Sequence, residues 1–405
     1  MGGKEWSLRA RARNLNREEL AATCCLAHRL GKKVYAAVNI FPTQADLKAL
    51  PAYLEYLGEI GADAIIASDP GVIAHARGYC PSVPLHLSTQ ANTTNSWSAL
   101  FWEAQGVRRI NLARELSYGD LCAIRRETRV ELEIFVHGAM CVSYSGRCLL
   151  SAFMAGRGAN RGACTQPCRW SYALVEEKRP GEYFPVEEDS RGAYIFNSKD
   201  LCLIGELGPL LASGVDAFKI EGRMKGALYL ASTLRSYRQA LEALRKEPEA
   251  FEARPEWLED LARTSHRPFT KGFLFPDPRA GNRDAANPEV DESVGYLQTH
   301  TLAGLVRADP RERLGDFELF GPGDAQAGER VVVEARSRLF PGMALEFLHP
   351  DGSVSRLRPE RFEDLRGNTL SVAHANTWIT FPVPFPTFPL QVIRCAGQRT
   401  DSRKP

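Results

Sequence analysis

The sequence lacks any run of about 18 apolar residues, which excludes a membrane-spanning helix by the usual hydrophobic criterion. Its N-terminal residues also lack the apolar core of a secretory signal. A surplus of charge of one sign is missing too, because 51 Lys and Arg face 49 Asp and Glu and leave a formal net charge of +2. Any nucleic-acid binding therefore needs a local basic face. We expect a protein of the cytoplasm that does not use a membrane.

Several catalytic motifs are absent as well. There is no His-Glu-x-x-His pair, which excludes the common zinc-peptidase helix. The residues around Ser145 lack the first glycine of a nucleophile elbow. Cys164 and Cys168 have the first spacing of the C-x3-C-x2-C motif of radical S-adenosylmethionine enzymes, but Ser171 occupies the third position. The glycine-rich stretch 156–162 follows no apolar strand and is a weak indication of a dinucleotide site.

Strand-like apolar runs alternate with amphipathic helices through the first two thirds of the chain. The six runs are residues 32–40, 62–68, 83–89, 107–113, 130–136 and 215–221. Their spacing of about 20–30 residues is that of βα units, which predicts a parallel α/β sheet, either open or closed into a barrel. A helix ending at Gly31 and another beginning near Asp200 are among those expected.

The pattern changes after about residue 250. From residue 294 onward, short alternating runs are separated by Gly, Pro, Asn and Asp turns, which predicts a small antiparallel β-barrel. The predicted organisation is a TIM-like barrel over 1–250 with an insertion at 139–193, a connector over 251–290, a C-terminal β-barrel domain over 291–397 and a disordered tail over 398–405.

Polar side chains stand at or near the carboxyl end of every predicted strand of the first domain. They are Asn39, Asp69, His86 with Ser88 and Gln90, Arg114 with Glu115, His137, and Lys219 with Glu221 and Arg223. In a closed α/β barrel these ends share one mouth, where the chemistry takes place. The alternative is that some of them only cap helices or pair with one another.

Five of the ten cysteines fall between residues 141 and 202. They are Cys141, Cys148, Cys164, Cys168 and Cys202. Thiols gathered after a buried strand of an intracellular protein favour a soft-metal site over disulfides. A [4Fe–4S] cluster, a structural zinc ion and unligated structural thiols remain open, although only Cys164 and Cys168 have the usual zinc spacing.

Residues 133–151, EIFVHGAMCVSYSGRCLLS, resemble without a gap the signature of the collagenase-like peptidases of family U32. The continuation through residue 204 is similar to a bacterial branch that hydroxylates the wobble uridine of tRNA with prephenate. The resemblance implies a (β/α)8 TIM-like barrel, an iron–sulfur cluster and a C-terminal β domain. It also implies that the first βα unit is missing, because the chain begins at the Gly-Gly-Lys turn that ends the family's second strand. We expect an unpaired barrel edge, which favours aggregation.

The resemblance implies 5-hydroxylation of the wobble uridine in tRNA, with the small dicarboxylate prephenate as co-substrate. Guanidinium groups suit a dicarboxylate, and an unpaired base can stack on an aromatic ring. The candidate proton-transfer residues are His137 and Glu115. The candidate substrate-binding residues are Arg114, Arg147, Trp170, Lys219, Glu221 and Arg223. Cys141, Cys148, Cys202 and either Cys164 or Cys168 are the candidate cluster ligands. The alternatives are a collagenase-like peptidase and a non-catalytic iron–sulfur RNA-binding accessory protein.

Overall fold

A computed structural model describes residues 2–4, 6–7, 14–140, 148, 150–155, 164–165, 167, 197–276, 290–291, 297–307 and 330–397. The α-helices are α1 Arg17–Arg29, α2 Gln44–Leu47, α3 Leu50–Glu59, α4 Pro70–Tyr79, α5 Ser96–Ala104, α6 Tyr118–Glu127, α7 Leu150–Ala155, α8 Leu207–Ala212, α9 Ala227–Lys246 and α10 Pro255–Ala262. The first strands are β1 Tyr35–Ala37, β2 Ala64–Ala67, β3 Leu85–Leu87, β4 Val107–Asn111, β5 Glu131–Ala139, β6 Asn197–Ser198, β7 Asp200–Cys202, β8 Ala217–Ile220 and β9 Phe269–Thr270. The remaining strands are β10 Val290–Asp291, β11 His300–Arg307, β12 Arg330–Ala335, β13 Leu345–Leu348, β14 Val354–Leu357, β15 Phe362–Glu363, β16 Thr369–Leu370, β17 Trp378–Pro382 and β18 Val392–Ala396.

The chain divides by its internal contacts into two units. The first unit comprises residues 1–224 and 267–295, and the second comprises residues 225–266 and 296–405. This division groups α9 with the C-terminal strands, whereas the sequence-based boundary at residue 250 placed it in the first domain. In the part of the chain that the structure describes, no helix has the length and apolar character needed to cross a membrane.

The first unit is built on a parallel sheet that contains all six predicted strands. Neighbouring strands in the order β1, β2, β3, β4, β5 and β8 are all parallel. Intervening helices are capped as their sequences suggest: Asn16 and Glu19 form a capping box at the start of α1, and Gly31 follows the end of α1 with a φ of +63°. The predicted parallel α/β sheet is therefore confirmed.

β5 is longer than its neighbours and pairs on both sides. Its carboxyl end pairs in parallel with β8 and in antiparallel fashion with β7, which in turn pairs with β9. The helix that the sequence predicted from about Asp200 is therefore wrong, because Asp200–Cys202 is a strand and α8 begins only at Leu207. Burial explains the difference: Asp200 and Leu201 lie inside the unit, where pairing with β5 satisfies their backbone.

Gly138 permits the close approach of β5 and the residues after β8. Its φ is +114°, a value that residues with a side chain rarely adopt. A Cβ atom at this position would lie 2.5 Å from the carbonyl oxygen of Glu221. The backbone of Glu221 also donates to the His137 carbonyl oxygen at 2.8 Å. A glycine is thus required where the two strands end together.

The N-terminal residues contact both outer strands of the parallel set. Gly2 forms a parallel bridge with Ala37 at the β1 edge. Arg223, just after β8, donates hydrogen bonds to Ser7 and, at 2.7 Å, to Asn14. A Cβ atom on Gly2 would overlap the Arg223 guanidinium group. The segment before α1 therefore links the β1 edge to the end of β8.

The second unit contains an eight-stranded antiparallel sheet in the order β14-β13-β18-β11-β12-β17-β15-β16. Alternation along β12 is regular, because Val331, Val333 and Ala335 are buried and the residues between them are partly exposed. Phe347 and Phe381 fill the core in an edge-to-face arrangement with ring centroids 6.5 Å apart. The predicted antiparallel β-rich C-terminal region is confirmed.

A buried ion network ties helices of the second unit to its sheet. Asp260 of α10 accepts from Arg235 of α9 at 2.7 Å and from Arg394 of β18 at 2.5 Å. Arg394, which is fully buried, also donates to Glu346 of β13 at 2.8 Å. Burial raises the pKa of Glu346, but hydrogen bonds from Arg394 and Arg356 outweigh it and lower this pKa to about 2. The Glu346 carboxylate therefore stays charged at neutral pH.

Candidate active site

Alternate residues of the parallel strands point to the face of the sheet opposite the helices. In β4 and β5 this face carries charge, since Arg109 and Glu131 occupy neighbouring register positions and pair through contacts of 2.6 and 2.8 Å. His86 of β3 is in register with Arg109, and its ring packs edge-on against Tyr35 of β1 at 4.7 Å. The apolar helix-facing residues Leu132 and Ile110 are buried. The sheet therefore has one apolar and one charged face.

His86 is neutral at physiological pH. Burial lowers the pKa of its imidazole, the positive charge of Arg109 lowers it further, and the result is about 4 despite the opposing effect of Glu133 and Glu131. A neutral imidazole can donate one hydrogen bond and accept another, but it adds no positive charge to the site.

A second cluster of polar side chains surrounds Glu133, which is the next residue of β5 after Glu131 on the charged face. Glu133 of β5 accepts from Lys219 Nζ at 2.7 Å and from Asn111 Nδ2 at 2.9 Å, both on its Oε1 atom. Arg109 lies 3.6 Å from the other carboxylate oxygen. Glu133 is 8% exposed, and these contacts compensate its negative charge. The Glu133 carboxylate of β5 is thus held in place by side chains of the two neighbouring strands, β4 and β8.

The carboxyl end of β5 brings together residues predicted for catalysis, binding and metal ligation. His137 is buried, and it faces Cys202 across the antiparallel register of β5 and β7. Glu221 bonds to the His137 backbone, as described above. Arg114 donates to the Ala139 carbonyl oxygen at 2.8 Å, and its guanidinium carbon lies 3.8 Å from the centroid of the Phe135 ring. Four predicted site residues thus cluster where the cysteine-rich segment begins.

Other predicted site residues lie elsewhere. Lys219 lies deeper in the sheet, on Glu133, and Glu115 is half-buried immediately after Arg114. Arg223 makes the contacts with the N-terminal segment given above. The predicted residues Cys141, Arg147, Cys168 and Trp170 lie outside the described residues.

Backbone and side-chain contacts connect the segments that carry the cysteines. Met140, the residue before Cys141, donates its backbone N–H to the Lys199 carbonyl oxygen at 3.3 Å, three residues before Cys202. Ser151 and Thr165 hydrogen-bond at 3.0 and 3.2 Å, which joins the segments that contain Cys148 and Cys164. Among the described residues, no three His, Cys, Asp or Glu side chains form a metal-binding group. The cysteine ligand set remains a prediction.

Sequence reasoning missed the inward-facing network of Arg109, Asn111, Glu131 and Glu133. A signal was present, since the two glutamates alternate with apolar residues in the run VELEIFV. That pattern places acidic groups on one face of a buried strand. Their partner Lys219 follows 86 residues after Glu133, and only the strand order brings it close.

Comparison with known proteins identifies the family. Residues 1–284 match the model of Peptidase family U32, and residues 320–394 match that of the Peptidase family U32 C-terminal domain. The chain is 35% identical over 427 residues to tRNA hydroxylation protein P of Escherichia coli strain K12, covering 95% of this chain and 88% of that protein. It is 37% identical over 395 residues to tRNA hydroxylation protein P1 of Bacillus subtilis strain 168, covering 97% and 88%. A 23S rRNA 5-hydroxycytidine synthase of E. coli is 33% identical over 280 residues, covering 68% of this chain and 41% of that protein. The chain belongs to peptidase family U32.

Proposed function

We propose that this protein hydroxylates a pyrimidine base in tRNA, adding a hydroxyl group at C5 of the wobble uridine. The supporting observation is its identity of 35–37% with two tRNA hydroxylation proteins over 88% of the length of each. A relative that makes 5-hydroxycytidine in 23S rRNA supports the same position on a pyrimidine ring. The enzyme would work in the cytoplasm on a macromolecular substrate.

The parallel sheet of the first unit would close into a TIM-like barrel whose mouth is the active site. The link from Gly2 at the β1 edge to Arg223 after β8 supports this closure. The polar face described above would then line the barrel interior, and the carboxyl ends of the strands would surround the substrate.

A [4Fe–4S] cluster would be held by Cys141, Cys148, Cys202 and either Cys164 or Cys168. The chemistry of this donor set fits, because such clusters are bound by four thiolates. The contact between the neighbours of Cys148 and Cys164 supports convergence of these thiols, as does the position of Cys202 in β7 opposite His137 of β5. When bound, the cluster would supply one-electron transfer.

The protein's own residues would bind the substrates and move protons. Hydroxylation replaces the C5–H of uracil by C5–OH, a two-electron oxidation whose oxygen atom and oxidising equivalents must come from a co-substrate, while the displaced hydrogen leaves the ring as a proton. His137 and Glu115 are the candidate acceptors. Prephenate carries two carboxylates, for which the guanidinium groups of Arg114 and Arg147 are suited. The Glu133–Lys219 pair would orient residues at the mouth without adding net charge.

Nucleoside analysis of tRNA tests the function. A strain without the gene would be complemented with the wild-type chain, with Cys202→Ser or with Cys25→Ser, the last being an exposed cysteine of α1 that serves as control. We expect 5-hydroxyuridine derivatives to return with the wild type and the control but not with Cys202→Ser. Unchanged nucleosides in the deletion strain, together with lost gelatin cleavage, would favour the peptidase alternative.

Anaerobic purification tests the cofactor separately. We expect the wild-type chain and Cys25→Ser to contain iron and acid-labile sulfide, and Cys202→Ser to lose most of both. A colourless wild-type protein that contains zinc would contradict the cluster while leaving the RNA substrate open.

A further inference from the structure

Three buried polar side chains stand at the carboxyl ends of neighbouring strands. Ser68 follows β2, Gln90 follows β3 and Asn111 ends β4, and they are 4%, 6% and 3% exposed. Within the part of the chain that the structure describes, Ser68 Oγ, Gln90 Nε2 and Asn111 Oδ1 have no hydrogen-bond partner. Buried polar atoms are nearly always paired, so a group of three at one location indicates a ligand or ordered water.

The register of the sheet places Ser68 and Asn111 at one level, on either side of Ser88, which contacts Gln90. Leu87 pairs with Ala67 on one side and with Ile110 on the other. The residues that follow Ala67, Leu87 and Ile110 face the opposite side of the sheet from them, so Ser88 is flanked by Ser68 and Asn111. The Ser88 hydroxyl donates to Gln90 Oε1 at 3.2 Å and thereby fixes the orientation of the Gln90 amide. The unpartnered atoms therefore lie at the carboxyl ends of β2 and β4 and, on Gln90, in the short 3-10 turn Thr89–Ala91 that follows β3.

This group offers hydrogen bonds but no net charge. Its ionisable neighbour Glu133 is paired with Lys219 and bonded to Asn111. An anion such as a carboxylate or phosphate would gain no cation here. A neutral planar group with alternating donors and acceptors fits better, and the edge of a pyrimidine base has that character.

We propose that Ser68, Gln90 and Asn111 form a subsite for the hydrogen-bonding edge of the uracil base. This inference rests on the proposed function and identifies the residues that select the base. Gln90 Nε2 would donate to a uracil carbonyl oxygen, and Gln90 Oε1, which has a second lone pair, would accept from N3–H. Cytosine has no hydrogen at N3, so a ring bound with N3 facing Gln90 Oε1 would lose this hydrogen bond. Asn111 Oδ1 and the Ser68 hydroxyl would bind the remaining polar atoms of the nucleoside.

Binding of free uridine to the full chain tests the subsite without requiring activity. Saturation-transfer NMR would compare uridine with 3-methyluridine, whose methyl group removes the N3–H donor. The variants are Gln90→Met, which keeps the side-chain volume, and Ser68→Ala. Gln105→Ala is the control, because Gln105 caps the carboxyl end of α5, before β4 and away from the strand ends. Circular dichroism melting would confirm that each variant is folded.

We expect uridine to bind the wild type and Gln105→Ala equally, and 3-methyluridine to bind both at least tenfold more weakly. Gln90→Met should lose at least tenfold in uridine affinity, and Ser68→Ala should lose a smaller factor. Equal binding of the two nucleosides, no binding by the wild type, or unchanged affinity in folded Gln90→Met would overturn the subsite. If uridine binds as expected while tRNA of the deletion strain is unchanged, the proposed hydroxylation fails and the subsite stands.

Discussion

At the scale of single residues, the unusual feature is a charged face on a buried parallel sheet. Parallel strands covered on both sides are usually apolar throughout. Here Arg109, Glu131, Glu133 and Lys219 compensate one another through contacts of 2.6–2.8 Å. Such residues add little to stability compared with apolar packing, so their presence favours a role in binding or catalysis.

The depressed pKa of His86 makes stability depend on pH. The pKa of its imidazole keeps it neutral in the folded protein down to pH about 4, whereas in the unfolded chain it gains a proton near the ordinary histidine pKa of 6.5. The unfolded state thus binds more protons between these values, and stability falls as pH decreases through this window. We expect the His86 contribution to fall by about 2 kcal/mol between pH 7 and pH 5.

Urea unfolding at the two pH values measures this effect. The variant His86→Gln, which cannot titrate, should lose about 2 kcal/mol less than the wild type on going from pH 7 to pH 5. His374→Gln, at an exposed position, should behave like the wild type. An equal loss in the wild type and His86→Gln would show that the folded imidazole is not kept neutral.

At the scale of elements, β5 organises the first unit, because it pairs with β4, β7 and β8. Its strand character could be predicted from its alternating apolar residues. Its antiparallel partner β7 could not, since three residues are too short to show a period. The extended shape of Asp200–Cys202 depends on β5 and on Phe269–Thr270, both distant in the sequence.

Substitution at Gly138 should disturb the junction of β5 with the end of β8. In Gly138→Ala the new methyl group meets the Glu221 carbonyl oxygen, and the residue keeps a φ suited only to glycine. We expect the free energy of unfolding, measured by urea titration, to fall by about 1–3 kcal/mol. Gly78→Ala in α4 is the matched control, because a Cβ there meets nothing within 4 Å and should stabilise the helix by about 0.5–1 kcal/mol. Equal stability of the two variants would contradict this account of Gly138.

At the scale of the whole molecule, the sequence predicted both sheets but not the division of the chain. Periodicity of 20–30 residues is a local property, which is why the strands of the parallel sheet could be recognised. The assignment of α9 depends on Arg235, whose partner Asp260 in turn binds Arg394, 134 positions later. Contacts at such separations leave no mark in local composition. The candidate site shows the same limit, since Lys219 was predicted but its partner Glu133 was not.

Removal of Asp260 should destabilise the second unit strongly. Asp260→Ala leaves Arg235 buried without a carboxylate and removes one of the two carboxylate partners of Arg394, and breaking a buried pair in this way costs about 3–5 kcal/mol. Glu242→Ala breaks the exposed Arg238–Glu242 pair of α9 and should change stability by less than about 0.5 kcal/mol. Thermal unfolding followed by calorimetry compares the two. A small effect of Asp260→Ala would mean that the helices are not held through this network.

The alternation of side chains along β5 limits which insertions and deletions this chain can accept during evolution. Glu133, Phe135 and His137 share one side of the strand, and Cys141 follows in the same continuous stretch. A deletion or insertion of one residue between them would turn every later side chain to the opposite side of the sheet. The interval from Glu133 to Ala139 must therefore keep its residue count in any functional descendant.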